Sequence, residues 1–300
     1  MIFYSILLFV ALFSVFRWYK PLQISDIGVW IVPVGFAIKV LVGFYFLYVY
    51  SDVLGDGTLS ADAGSFMIES KLVNDVFYTS PIDYFKLLFG SGNANTADLI
   101  ADANHWRSGE QSLINDNRNV LRLHSLIHFI SFGWATIHMM VFSFLSMIGI
   151  IQLVKAFQSL TFIKSIFIIA ILLSIPSLLF WGSSVLKEPI LLLGIGLLVR
   201  GLFYKKNISI KFILIMAGCL FLLGFKPYVL FAFVPAILYH AIYRLLPKYK
   251  LIGPMVILSL IAFVTLKTFD SKVDNAVNLV SRKQYDFNNI SLGGVYLENG

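Results

Sequence analysis

The sequence predicts an all-α fold: a polytopic transmembrane bundle of about eight helices, with one long extracytoplasmic loop that carries short surface helices. Three observations predict it. Residues of the AVILMFWYC set make up 58% of the 300-residue chain and charged residues only 13%, against about 45–50% and about 25% in a soluble domain. Mean hydropathy is +0.83. The apolar residues fall in continuous runs, not in the roughly ten-residue alternating segments of a membrane barrel. Gly and Pro are at ordinary levels and there is one Cys, which excludes collagen, disorder and a disulfide scaffold.

The apolar segments are 2–19, 28–50, 130–154, 163–181, 186–204, 209–225, 227–243 and 251–267. Several are short for a hydrocarbon core of about 30 Å. The first lacks a basic leader and ends in Arg17, Trp18, Tyr19 and Lys20, so a retained span is expected and not a cleaved signal peptide. Residues 1–267 read as one transmembrane domain. Residues 268–300 read as an extracytoplasmic tail, the start of a truncated segment.

Orientation follows from lysine and arginine. Eleven of the 23 fall in or beside four alternating connections, at Arg17 and Lys20, at Lys155 and Lys164, from Arg200 to Lys211, and from Arg244 to Lys250. That end is expected to be cytoplasmic, in a bacterial inner membrane. The N-terminus and the loop 51–129 then lie outside. The net charge of +7 reflects this bias, and basic loops at a lipid surface account for it without nucleic acid. Cys219 lies inside a span and reads as a packing residue.

The loop 51–129 differs from the rest, with ten acidic and five basic residues. Residues 82–89 carry apolar positions at helical spacing with Gly90 as a stop. Residues 118–129 read as an amphipathic helix, with Arg118 and Arg122 one turn apart and His124 and His128 likewise. The Gly, Asn and Ser stretch at 90–97 reads as a turn or loop. Asp56, between two glycines, and Asp62 follow the second span. A carboxylate there can accept a proton from a hydroxyl nucleophile; the same residues also suit turns and caps.

The motif Asp62-Ala63-x-x-Phe66 after a short apolar span resembles the first outer loop of the C-type (GT-C) membrane glycosyltransferase superfamily. The stretch Pro176 to Pro189 and the run Phe225-Lys226-Pro227-Tyr228 resemble motifs in uncharacterised surface-polysaccharide membrane proteins of Bacteroidetes-type bacteria. The resemblance covers roughly residues 28–243. It implies an enzyme taking a sugar from a polyprenyl-phosphate-linked donor to a glycan or lipid-glycan acceptor, within membrane lipid. A second acidic residue often found in such loops has no aligned counterpart here.

The expected topology brings Asp56, Asp62, Lys187, Glu188 and Lys226 to one outer face. Asp62 is the expected base, with Asp56 as the neighbouring carboxylate. Lys187 and Lys226 would hold phosphate, with Arg122 as an alternative cation and Glu188 orienting Lys187. Lysines at span ends also snorkel, and Pro beside them marks a helix start. Lys39 falls in mid-span, where an ammonium costs about 2.5–3.5 kcal/mol to insert; it is expected beneath the site, toward an anionic lipid head. The His124 and His128 spacing can chelate a metal, but no Cys or Glu pattern accompanies it. A divalent cation could serve phosphate as a lysine does. Two other functions fit the same topology. A polysaccharide polymerase or ligase would depend on Arg118 and Arg122. A transporter or assembly subunit should show repeated halves, and no internal repeat is visible. Gly194 and Gly196 are expected to permit close helix approach.

Overall fold

The computed structural model describes residues 2–92, 94–106, 113 and 116–245. Among them every regular element is helical and no strand occurs. The chain divides into two units, Met1–Ala232 and Phe233–Gly300. The first contains the elements that follow up to the opening turns of the last helix. The expected span 251–267, tail 268–300 and boundary between them lie outside the described residues.

Helix α1 is Ile2–Trp18, followed by a short 3₁₀ turn at Lys20–Leu22. Helix α2, Ile31–Tyr48, runs on through a π-turn at Val49–Val53. The outer-loop sequence then forms α3 (Ala61–Thr79), α4 (Pro81–Phe89), α5 (Ala94–Asp98) and α6 (Asp116–Ser131). Next come α7 (Ala135–Gln158), α8 (Ser165–Ser174), α9 (Pro176–Trp181), α10 (Glu188–Phe203), α11 (Ile208–Phe225) and α12 (Pro227–Leu245).

Among the described residues three helical stretches are long and apolar enough to cross a membrane: Ile31–Val53, Ala135–Gln158 and Ile208–Phe225. The helices Ile2–Trp18 and Ser165–Ser174, and the stretch Pro227–Leu238, are apolar but shorter. The expected span 163–181 is two helices of ten and six residues. Neither alone reaches the roughly 20 residues a crossing needs. Pro176 causes the break: Ile175 before it is extended, at φ −74° and ψ 111°, as the residue before a proline prefers. Pro33 lies near the start of α2 and Pro235 inside α12, and neither ends its helix.

The expected span from 130 begins later, at Ala135. Phe132 and Gly133 both adopt positive φ, and this corner separates α6 from α7. The expected loop helices appear as α4 and α6, and Gly90 closes α4 at φ 67°. The stretch 90–97 includes the start of the short helix α5, beyond the turn expected there.

Helix α7 is the centre of the first unit. It packs on α2 and α10, and α10 packs in turn on α11. Phe16, Phe36 and Phe144 meet between α1, α2 and α7, with ring centroids 5.2 and 4.8 Å from Phe16. Gly149 of α7 faces Gly196 of α10 so closely that a Cβ on either would meet the other helix's backbone. Gly194, on the opposite side of α10, faces Leu222 and Phe221 of α11. Both expected close approaches therefore form. The loop helices make a second layer, with α3 packed on α4 and α6.

Candidate functional site

The site is built where the chain turns back after α2. Ser60 donates to the Tyr50 carbonyl through its amide at 3.0 Å and its hydroxyl at 2.8 Å. This double tie sets the first turn of α3 over the end of α2. Gly64 lies against the Leu59 carbonyl, where a Cβ would collide. Asp56 and Ala61 hold φ of 46° and 50°, a left-handed conformation that costs a non-glycine residue about 1 kcal/mol or more. Two of the three such residues described thus lie just before Asp62. Asp56 itself is an exposed turn residue.

Asp62 and Glu69 are seven residues apart, two turns along α3, and so share a face. Between them sits His105, a residue with no sequence motif around it. Its Nδ1 lies 2.8 Å from Glu69 Oε1, and its backbone N–H donates to Glu69 Oε2 at 2.9 Å. Its Nε2 faces Asp62 Oδ1 across 3.8 Å. The Asp62 side chain is 62% exposed and that of Glu69 7%. The inner carboxylate therefore anchors the imidazole, and the outer one remains open to a reactant. Asp62 and Glu69 together push His105 up to about 9, against the opposing effect of burial. The His105 pairing, with the Lys187 charge adding to it, holds Asp62 below the usual carboxylate range. At neutral pH the group is an imidazolium between two carboxylates.

The predicted cations are close by but already paired. Lys187 donates to Asp116 Oδ2 at 2.7 Å and to Asn117 Oδ1 at 3.2 Å. Burial would raise Asp116, yet the Lys187 ammonium outweighs it and keeps the carboxyl low. Lys226 donates to Glu188 Oε1 at 3.1 Å. Burial opposes the charge on Lys226, and Glu188 outweighs it, so its pKa is raised. This corrects one expectation. Glu188 orients Lys226, not Lys187, because the two adjacent residues at the head of α10 diverge around the helix. Asp62 senses the charge of Lys187, and Tyr50 senses those of Asp62 and Glu188. Asp62, Lys187, Glu188 and Lys226, four of the five residues expected at one face, are thus linked by these charges and by the Glu188–Lys226 bond.

Arg122 has another task. It is 4% exposed. Its Nε donates to the Leu87 carbonyl at 2.8 Å, its NH1 to Asn119 Oδ1 at 2.8 Å, and its guanidinium lies 4.9 Å from the Trp106 ring centre. Arg118 donates from Nε to the Trp106 carbonyl at 2.7 Å. Both arginines fasten α6 to the loop that carries His105.

Lys39 is fully buried, and its Nζ has no protein partner among the described residues. Ser146 Oγ is likewise unpartnered. Each lies 3.1 Å from the point where a Cβ on Gly182 would sit. Gly182 and Glu188 both line a crevice of about 250 Å³ between α9 and α10, walled by Leu178, Trp181 and Leu191. Glu188 Oε2 is buried there without a partner. Unpaired buried polar atoms are costly; Glu188 Oε2 belongs to the crevice lining, whereas Lys39 and Ser146 are buried beside Gly182 and are not part of that lining.

His124 and His138 form a directed chain. His124 Nε2 lies 2.8 Å from the Val185 carbonyl, which can only accept, so Nε2 carries the proton. Burial pushes His124 down to about 3, so the ring is neutral and its Nδ1 is bare. That nitrogen lies 2.7 Å from His138 Nδ1, which must donate. His138 Nε2 then accepts from Ser131 Oγ at 2.7 Å, and Ser131 Oγ accepts from the Gly133 amide at 3.3 Å. The chain ties the α6–α7 corner to Val185, two residues before Lys187. His128 bonds instead to Ser70 of α3 at 2.9 Å, so His124 and His128 do not share a ligand.

A metal fits this arrangement poorly. Among the described residues no three His, Cys, Asp or Glu side chains converge on one point. His105 meets Asp62 and Glu69 through different ring nitrogens, so the two carboxylates stand at opposite edges of the ring. Comparisons with family models, with curated proteins and with solved structures found no match to this chain.

Proposed function

We propose that the chain is an integral membrane glycosyltransferase-like enzyme of a bacterial inner membrane. It uses a polyprenyl-phosphate-linked sugar at the outer face for envelope glycan assembly. One observation carries this reading: Asp62 is an ionised, open carboxylate backed by the half-buried His105 and the buried Glu69, within reach of the Lys187 charge, with the Lys226–Glu188 pair at the head of α10. Ionised carboxylates accept protons from hydroxyl nucleophiles, and adjacent cations stabilise charge that develops on a phosphate leaving group.

In the proposed reaction the acceptor hydroxyl gives its proton to Asp62. Its oxygen forms a bond to the anomeric carbon as the bond from that carbon to the phosphate oxygen breaks. The electron pair leaves with the lipid phosphate, and the anomeric centre inverts. The His105 imidazolium stabilises the Asp62 carboxylate before transfer. Lys187 uses two of its three N–H donors on Asp116 and Asn117, which fixes it in place with one donor to spare for phosphate. A polymerase or ligase mechanism through Arg118 and Arg122 receives less support, because both are buried against loop carbonyls.

The test is sugar transfer in membrane vesicles from a radiolabelled polyprenyl-phosphate-sugar pool, with wild type beside Asp62→Ala. Loss of the base lowers transfer by about 10²–10⁴-fold while the protein still inserts. Undiminished transfer by Asp62→Ala would remove Asp62 from the chemistry.

A further inference from the structure

At the other end of α10 from Glu188, a cavity of about 540 Å³ opens between the segment after α1 and the ends of α7 and α10. Lys155, Arg200, Lys205 and Lys206 line it, with Gln23 and Tyr204, and among the described residues no acidic side chain is part of the lining. We infer that this cavity is a binding site for a phosphate-bearing anion, separate from the Asp62 neighbourhood.

Positive charge at this end of a membrane bundle is ordinary. Its convergence on one cavity, with no counter-ion in the lining among the described residues, is not. Lys155 Nζ donates to the Pro21 carbonyl at 2.6 Å, and Arg200 NH1 donates to the Lys155 carbonyl at 2.8 Å. Those carbonyls are neutral dipoles. The nearby helix C-termini of α7 and α10 contribute at most about half a negative charge each, well short of four cations. The nearest acid in this part of the sequence, Asp26, is committed elsewhere: its Oδ2 accepts from the Ser165 amide at 3.1 Å at the head of α8.

The cations are also held in position. The Arg200 guanidinium lies 4.9 Å from the Tyr204 ring centre, and its hydrogen bond to the end of α7 fixes its plane. A fixed guanidinium beside ammonium groups suits the several oxygens of a phosphate. Gln23, Ser25, Gln158 and Ser159 add neutral polar groups to the rim. The volume falls in the range of small-molecule sites, about 300–1,000 Å³, and exceeds what a bare phosphate needs. The ligand is a phosphate with a substituent. Two sources share that chemistry: the head group of an anionic membrane lipid, and a soluble phosphorylated compound. Basic pockets between membrane helices hold lipid head groups in this way.

The experiment uses the full chain in nanodiscs of phosphatidylcholine with phosphatidylglycerol. Native mass spectrometry counts retained phosphatidylglycerol, and thermal unfolding is followed with added pyrophosphate. The variants are Lys205→Gln with Lys206→Gln, whose side chains are exposed, and separately Arg200→Gln. Circular dichroism establishes that each is folded. For a lipid ligand, wild type retains phosphatidylglycerol over phosphatidylcholine, and the double variant loses that preference by about tenfold. For a soluble ligand, pyrophosphate raises the unfolding temperature of wild type and not of the double variant. If Arg200→Gln misfolds, the double variant alone decides. Equal lipid retention by wild type and double variant, with no pyrophosphate effect on either, overturns the site.

Discussion

His105 carries the sharpest residue-level prediction. Its pKa is raised from 6.5 to about 9 by Asp62 and Glu69, so the folded protein binds this proton more tightly than the unfolded chain. The stabilisation is fully present below about pH 6.5 and is lost as pH rises through about 9. Glu69→Gln removes one of the two attracting charges, so its His105 titrates at lower pH. NMR titration of the His105 ring protons in both proteins measures this, and equal midpoints would show that Glu69 does not bear on His105. The alkaline limb of any Asp62-dependent activity should move down in the same variant. Asp62 was legible in the sequence because a carboxylate after a short span stands out. His105 was not, because nothing near Asn104 or Trp106 marks it. The signal available was the Asp62 and Glu69 spacing, two carboxylates on one face of a helix. Reading it required knowing that 61–79 is helical, and the residues before it read as turns.

At the scale of elements, the glycine contact between α7 and α10 is where the fold is most sensitive. A Cβ at position 196 would meet the Gly149 backbone, which cannot rotate away. At position 194 it would meet only Leu222 and Phe221 side-chain atoms, at 3.1 Å, and those can shift by a few tenths of an ångström. Gly196→Ala is therefore expected to destabilise the protein by about 1–3 kcal/mol or more, as overpacking does, and Gly194→Ala by clearly less. Thermal unfolding of both in one detergent ranks them, and the reverse order would refute the packing argument. Small residues at helix contacts were legible, and so were α4 and α6, whose apolar spacing and glycine stop are local signals. The fate of the prolines was not. Pro33 lies near a helix start, where its missing N–H has no cost, and Pro235 lies within α12. Among the described residues only Pro176 breaks a predicted span. Which proline breaks depends on packing around it, and sequence spacing alone does not report that.

At the scale of the whole molecule, charge and helix direction make one argument. Helix α10 begins with Glu188 in the acidic neighbourhood and carries Arg200 in its last turn. At 1.5 Å per residue these lie about 18 Å apart along the axis. The loop 51–129 has ten acidic and five basic residues, whereas among the described residues the charged side chains lining the cavity at the far end are all cations. A membrane that retains lysine and arginine on its cytoplasmic side orients this polarity one way. Asp98 of the loop and Thr161 after α7 are both exposed, and neither takes part in the proposed chemistry. In a Cys219→Ser background, Asp98→Cys should react with an impermeant thiol reagent in intact spheroplasts, and Thr161→Cys only after permeabilisation. The opposite pattern would invert the bundle and put Asp62 on the same side as soluble nucleotide-sugars. A lipid-linked donor would then no longer be needed to explain a carboxylate and two lysines at the head of α10. Labelling of both cysteines in intact spheroplasts would mean that the segments between them do not separate two compartments. The three long apolar helices would then have to be explained by burial within an assembly and not by lipid.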